Sequence, residues 1–281
     1  MNLSGRTDLA VERHRADLSI EGTELSEEHY GKITVTRLSV STPKAAEEIE
    51  RPQGRYVTVS FHDLLALDAT EQRALERKIA LETSALCKGV GVDPGQAGRR
   101  VLLVGLGNRA LTADAIGPRT VERIGATGHL ESIDPKCLTT LGCASLFCNI
   151  PGVLSDSGIE AAQSASLLVQ RLCPSLVIVV DALVARDAER LLSTVQLSDS
   201  GIIPGSGIHN SRAALTRESL GVPVIALGVP TVIDARCLDS DKPCELFVTL
   251  KDVDERVRRL SAILAHAIAE HLSLPSELLI G

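Results

Sequence analysis

The stretch VIVVDALVAR occupies residues 177–186. Four apolar, β-branched residues run without a break into Asp181. An uninterrupted apolar run of this kind, with no polar alternation, fits a strand buried on both faces, as in a parallel sheet covered by helices. A carboxylate buried alone is costly. A strand tip that opens into a cleft removes that cost, so the run predicts Asp181 at the rim of a cleft.

Working outward, similar strands recur. RRVLLVGLGN (99–108) is a buried strand that enters a glycine turn, CASLFCNIPG (143–152) another strand, and VPVIALGVP (222–230) a third. Amphipathic helices lie between and around them. DATEQRALERKIALETSALCKGVG predicts a helix over about 69–88, with Leu75, Ile79 and Leu86 on one side and Gly89 as its stop. DSGIEAAQSASLLVQRLCP predicts a second, capped near Asp156 or Ser157, and LKDVDERVRRLSAILAHAIAEHL a third near the C-terminus. Apolar strands alternating with such helices give an α/β fold, a mainly parallel sheet with helices on both faces. Ligands of such sheets bind beyond the carboxyl ends of the strands. The first 53 residues are polar and mixed, with one strand at 32–40, and GRYVTVSFHD (54–63) adds another. No repeat or low-complexity tract interrupts the chain, so residues 1–281 are expected to form a single domain, with residues 236–281 as a helical C-terminal segment.

The chain is 281 residues long, 44% hydrophobic and 23% charged, which is ordinary globular composition. A net charge of -7 and 2% aromatics argue against a basic nucleic-acid interface and against stacking platforms. The N-terminus has no apolar core of a secretory signal, and no apolar run reaches the length of a membrane span. Seven cysteines form no C-x-x-C pair, and their odd number disfavours complete pairing. Reduced thiols, mostly buried, in a cytoplasmic compartment are expected.

Four motifs carry chemistry. GLGNRA (105–110) has the G-x-G-x-x-A spacing of a dinucleotide loop. The helix that such a loop needs would contain Gly117 and Pro118, and an interior proline is very costly. A longer loop, with the helix starting near Asp114, is expected instead. TADAIGP (112–118) offers Asp114 as a helix cap or, since its loop shares a rim with Asp181, as a second carboxylate of the cleft. Two carboxylates close together cannot both ionise easily, and one keeps a proton that can serve acid–base chemistry. SDSGIIPGSGIHNSR (198–212) is a flexible surface loop or a wall of the substrate groove, with backbone N–H groups near Gly205 to Gly207 free for an oxyanion. Its Asp199-Ser200-Gly201 matches the pepsin-like D-[ST]-G only by coincidence, since those enzymes are all-β. His209, in the same loop, is the histidine best placed to act. H-E-x-x-H, G-x-S-x-G and P-loop patterns are all missing.

Taken in order, RTDLAVE (6–12), GRYVTV (54–59), LLVGLGN with TADAIGP (102–118), IPGVLSDSGIE (150–160), DALVAR (181–186), TVQLSDSGIIPGSGIHNSR (194–212) and LGVPVIALGVPTVIDA (220–235) resemble the germination proteases of spore-forming Firmicutes. The resemblance implies an endopeptidase of the spore core that degrades small acid-soluble spore proteins. It also implies a zymogen, a homotetramer, and a fold like that of the endopeptidases that mature nickel hydrogenases, with extra N-terminal strands. By motif it places the catalytic aspartates at Asp114 and Asp181. Asp199, Gly205, Ser206, Gly207 and His209 become candidates for holding substrate, and neither cofactor nor metal is expected. The chain starts almost at RTDLAVE, so a mature or little-trimmed N-terminus is expected, and it stops at SELLIG, short of the family's longer C-terminal region. TADAIGP replaces the more usual TPDA-GP, and GIHNSR puts His209 where the family has glycine. Two alternatives remain: a metal-dependent maturation-type endopeptidase with Asp114, Asp181 and His209 as ligands, and a non-catalytic peptide- or nucleotide-binding protein.

Overall fold

Strand alternation sorts the apolar residues of this chain onto two faces of one sheet. The computed structural model describes residues 7–14, 20–93, 96–134, 136–206, 212–237 and 246–280. In chain order the elements are α1 (Ala10–Arg13), β1 (Thr23–Tyr30), β2 (Ile33–Val40), α2 (Pro43–Ile49), β3 (Gly54–Phe61), α3 (Ala69–Gly89), β4 (Arg100–Gly105), α4 (Ile116–Val121) and α5 (Cys137–Leu141). They continue with β5 (Ser145–Asn149), α6 (Leu154–Ser157), α7 (Ala161–Leu172), β6 (Leu176–Ala185), β7 (Thr194–Ser198), α8 (Arg217–Leu220), β8 (Val224–Asp234), β9 (Phe247–Val248) and α9 (Val253–His271).

The strand order is β1-β2-β3-β7-β8-β6-β4-β5, with β9 on β8. At one end of the sheet β5, β4, β6 and β8 are all parallel, as their apolar runs predict. Beyond β8 the sheet turns antiparallel, first through β7 and then through β3, β2 and β1, the extra strands of the N-terminal part. Val101, Leu103, Ile178 and Val180 point to a core shared with α3, α4 and α9. Their neighbours Leu102, Val104, Val177 and Val179 point to the opposite core, under α7. One residue of strand therefore serves one face and the next serves the other.

Helix α3 starts at an Asp68 cap, with Asp68 and Glu71 exchanging backbone bonds in a capping box. Leu75, Ile79 and Leu86 are buried against α9 as their spacing predicts. Three local expectations are corrected. Thr23–Tyr30 forms a strand in the segment expected to hold only one, and all but Thr23 of its residues are exposed, so no apolar alternation announced it. The helix expected from Asp156 or Ser157 is split: Gly158 takes a left-handed φ of 71° after α6, and α7 starts afresh at Ala161. Asp114 caps no helix; it closes a 3-10 turn (Thr112–Asp114), and Ala115 precedes α4 without a side-chain cap. Pro118 sits in the first turn of α4, where its missing N–H costs little.

Among the described residues, the free cysteines are Cys87 and Cys143, both buried, Cys137, Cys148 and Cys237, partly buried, and Cys173, which is exposed. Full burial thus holds for fewer thiols than their apolar neighbours suggest. Among the described residues no helix is long and apolar enough to cross a membrane.

Candidate active site

Strand β6 does not stop at Asp181. It runs on to Ala185, paired all the way with β8. What stops is its other neighbour. Strand β4 pairs with β6 only as far as Gly105 opposite Val180, and the Leu106 N–H closes the ladder on the Val180 carbonyl at 2.9 Å. Asp181 is therefore the first residue of β6 with no β4 beside it. The gap above the end of β4 is the cleft that the sequence called for, reached by a different route.

The chain that leaves β4 turns at Gly107 and returns with Asp114. Both carboxylates line one cavity of about 430 Å³, together with Asp8, Arg51, Gln196 and Arg212. Asp181 is 6% exposed, and its Oδ1 accepts the Ala182 N–H at 2.9 Å. Burial holds the Asp181 carboxyl well above the usual carboxylate range, and the negative charges of Asp114 and Asp8 push the same way. Burial raises Asp114 as well. The Asn108 N–H, 2.8 Å from Oδ2, and the Arg212 cation work against that rise. The two acids thus differ: the more buried one keeps its proton more firmly, and the other's rise is partly offset by the Asn108 N–H and the Arg212 cation.

Asp8 was not singled out from sequence, although it lies inside RTDLAVE. Its N–H donates to the Val184 carbonyl at 2.8 Å, and its Oδ2 accepts the Val184 N–H at 3.0 Å. Ser206 Oγ donates to its Oδ1 at 2.6 Å. Gln196 holds the same segment by its backbone, accepting from Ala10 N at 2.7 Å and donating to the Asp8 carbonyl at 3.2 Å. Arg51 Nη2 donates to the Thr7 carbonyl at 2.5 Å and stands 3.5 Å from Asp8 Oδ1. Four segments far apart in sequence, at Arg51, Val184, Gln196 and Ser206, thus pin the N-terminal segment at the cavity, and no local pattern could have revealed it.

The loop candidates divide. Gly205 and Ser206 line the cavity. Asp199 does not: its Oδ1 accepts the Arg55 N–H and its Oδ2 the Arg55 Nε–H, each at 2.7 Å. That pair ties the end of β7 to β3, and Ser198 and Ser200 on either side reach the cavity instead. Gly207 and His209 lie outside the described residues. Among the described residues, no three His, Cys, Asp or Glu side chains converge as a metal site.

A model of the germination protease family matches residues 5–243. The chain is 39% identical over 245 residues to a germination protease of Bacillus cereus, covering 85% of this chain and 65% of that one. It is 37% identical over 243 residues to the germination protease of Bacillus cytotoxicus, covering 84% and 65%. The chain thus spans about 65% of the length of these curated relatives. Among solved structures, a [NiFe] hydrogenase maturation protease, HycI from Thermococcus kodakarensis, aligns with a TM-score of 0.34 and 18% identity, over 63% of this chain and 94% of that one. With the matched region running from the pinned N-terminal segment through both cavity aspartates, the chain belongs to the germination protease family.

Proposed function

We propose that this chain is an aspartate-dependent endopeptidase that degrades small acid-soluble spore proteins during germination, acting in the spore core as a homo-oligomer. The observation that carries the reading is the meeting of Asp181, within β6, and Asp114, from the segment after β4, in one cavity where burial raises the proton affinity of both. Asp181, the more buried, carries the proton and donates it to the carbonyl oxygen of the scissile amide. Asp114, kept as an acceptor by the Asn108 N–H, takes a proton from water as its oxygen bonds to the carbonyl carbon. The C–N bond then breaks, the amine leaves with the proton held by Asp114, and Asp181 recovers its own. Gly205 and Ser206 line the wall along which an extended chain would lie.

The test is cleavage of a purified small acid-soluble spore protein. Asp114→Asn and Asp181→Asn should each cost about 10²-fold or more in kcat, the scale of a lost acid–base group. The double variant should be scarcely worse than either single one, since groups that act as a unit are not additive. Folded single variants that cleave at the wild-type rate would end the aspartate mechanism. Metal content of the active protein decides against the rival that places an ion on Asp114, Asp181 and His209.

A further inference from the structure

The G-x-G-x-x-A run at 105–110 enters the chemistry proposed above only through the Asn108 N–H, and as a nucleotide loop it is poorly made. Three of its backbone donors are already engaged within the protein. Leu106 N–H goes to the Val180 carbonyl at 2.9 Å, Asn108 N–H to Asp114 Oδ2 at 2.8 Å, and Ala110 N–H to Asn108 Oδ1 at 2.8 Å. The helix that follows, α4, has only six residues.

The glycines mark instead the places where backbone enters the space that a side chain would fill. A Cβ on Gly105 would lie 2.5 Å from the Gly117 carbonyl oxygen. One on Gly117 would lie 2.2 Å from the Leu106 oxygen and 2.5 Å from that of Val180. One on Gly107 would lie 1.9 Å from the Asp114 carbonyl oxygen and 3.1 Å from its Oδ1, and Gly107 has a φ of +118°. The end of β4, the end of β6 and the first turn of α4 are interlocked at these three points. Gly107 alone touches the carboxylate-bearing residue itself.

We infer that Gly107 is a positioning residue: by admitting the Asp114 backbone into its missing side chain's space, it fixes the Asp114 carboxylate on the Asn108 N–H within the cavity shared with Asp181. The glycine run thereby serves an acid pair and binds no phosphate. The kinetic part of the test rests on the proposed aspartate mechanism; the titration part does not.

The variant is Gly107→Ala, with Gly221→Ala as its control. Gly221 has a φ of +76° and nothing within 4 Å of its would-be Cβ, so it carries positive-φ strain without a contact to displace. Carboxyl and amide NMR titrations read the geometry directly. In the wild type, the Asn108 amide shift should follow the Asp114 carboxyl through its titration. In Gly107→Ala that correspondence should be lost and the Asp114 midpoint should rise, because a donor that favoured the charged form has gone. With spore-protein substrate, kcat should fall about 10-fold or more while KM stays within about twofold, the pattern of a misplaced group and not of lost binding. Gly221→Ala should leave both readouts as in the wild type. A folded Gly107→Ala protein with wild-type Asp114 titration and kcat overturns the inference. Should Gly107→Ala fail to fold, the wild-type titration decides: an Asn108 amide blind to Asp114 overturns it, and one that tracks Asp114 upholds it. Micromolar binding of NAD or ATP to the wild type, abolished in Gly107→Ala, also overturns it. If no form of the protein cleaves substrate, the aspartate mechanism falls, while the titrations still judge Gly107.

Discussion

Asp181 carries a stability signature as well as a proposed role in catalysis. Its folded carboxyl holds a proton at a pH where the unfolded one, near the ordinary value of about 3.9, has lost it. The folded state then binds more protons, so stability falls as pH rises from the unfolded value toward the raised folded one. Asp181→Asn removes that loss. Urea unfolding should therefore find the variant at least as stable as the wild type at pH 7 and no better at pH 4; a variant markedly less stable at pH 7 would make Asp181 a structural anchor. The thiols give a second residue-scale expectation. Burial pushes Cys87 up to about 12, while Cys173 is exposed. Brief alkylation of the folded protein, followed by mass mapping, should label Cys173, spare Cys87 and leave cleavage intact. At this scale the sequence exposed Asp114 because it follows a recognisable strand, and Asp181 because it breaks an apolar one. It hid Asp8, Arg51 and Gln196, whose meeting depends on contacts between distant segments. It misassigned Asp199, whose partner Arg55 lies 144 residues away.

Strands β4, β6 and β8 were legible because burial on both faces demands branched apolar residues at every position. Strand β1 was not, since TELSEEHY lies at the sheet edge with its side chains in water and needs only the backbone ladder to β2. The start of α7 was missed for a similar reason: the sequence offers several polar cap residues, and it is the left-handed turn at Gly158 that chooses among them. The buried strands should also dominate the energetics. Ile178 is fully buried between α3, α4 and α9 residues on one face of β6, so Ile178→Ala should cost about 2–5 kcal/mol. Asp68→Ala removes one half of the α3 capping box and should cost about 1 kcal/mol. Denaturant midpoints at constant m-value measure both, and the ranking matters more than either figure.

At the scale of the whole molecule, a second buried group opposes Asp181 as pH falls. His271 joins α9 to α3, with Nδ1 2.8 Å from Ser84 Oγ and Nε2 3.6 Å from Cys87 Sγ. Burial, helped by the Arg99 cation, pushes its pKa down to about 3. The unfolded imidazole titrates near about 6.5, so the unfolded state gains protons first and stability is lost as pH falls from there toward the folded value. The two substitutions should then bend the acid limb in opposite directions: His271→Gln should flatten it between pH 6.5 and 4, and Asp181→Asn should steepen it. Parallel limbs for the two variants and the wild type would contradict both burial arguments.

The sheet itself has a consequence during synthesis. Strand β3 pairs on one side with β2, its neighbour in the chain, and on the other with β7, where Ser60 meets Thr194 across 134 residues. At about 5–20 residues per second, the ribosome delivers β7 roughly 7 to 27 seconds after β3 has emerged. For that interval the nascent chain carries a three-stranded sheet whose inner edge has nothing to pair with. Its outer edge, β1, bears Glu24, Glu27 and Glu28, and charges on an edge strand repel a second ladder. The vulnerable side is therefore β3, with Tyr56, Val57, Val59 and Phe61 along it, and any holding chaperone that meets this polypeptide early should bind there and leave once residue 198 is out of the exit tunnel.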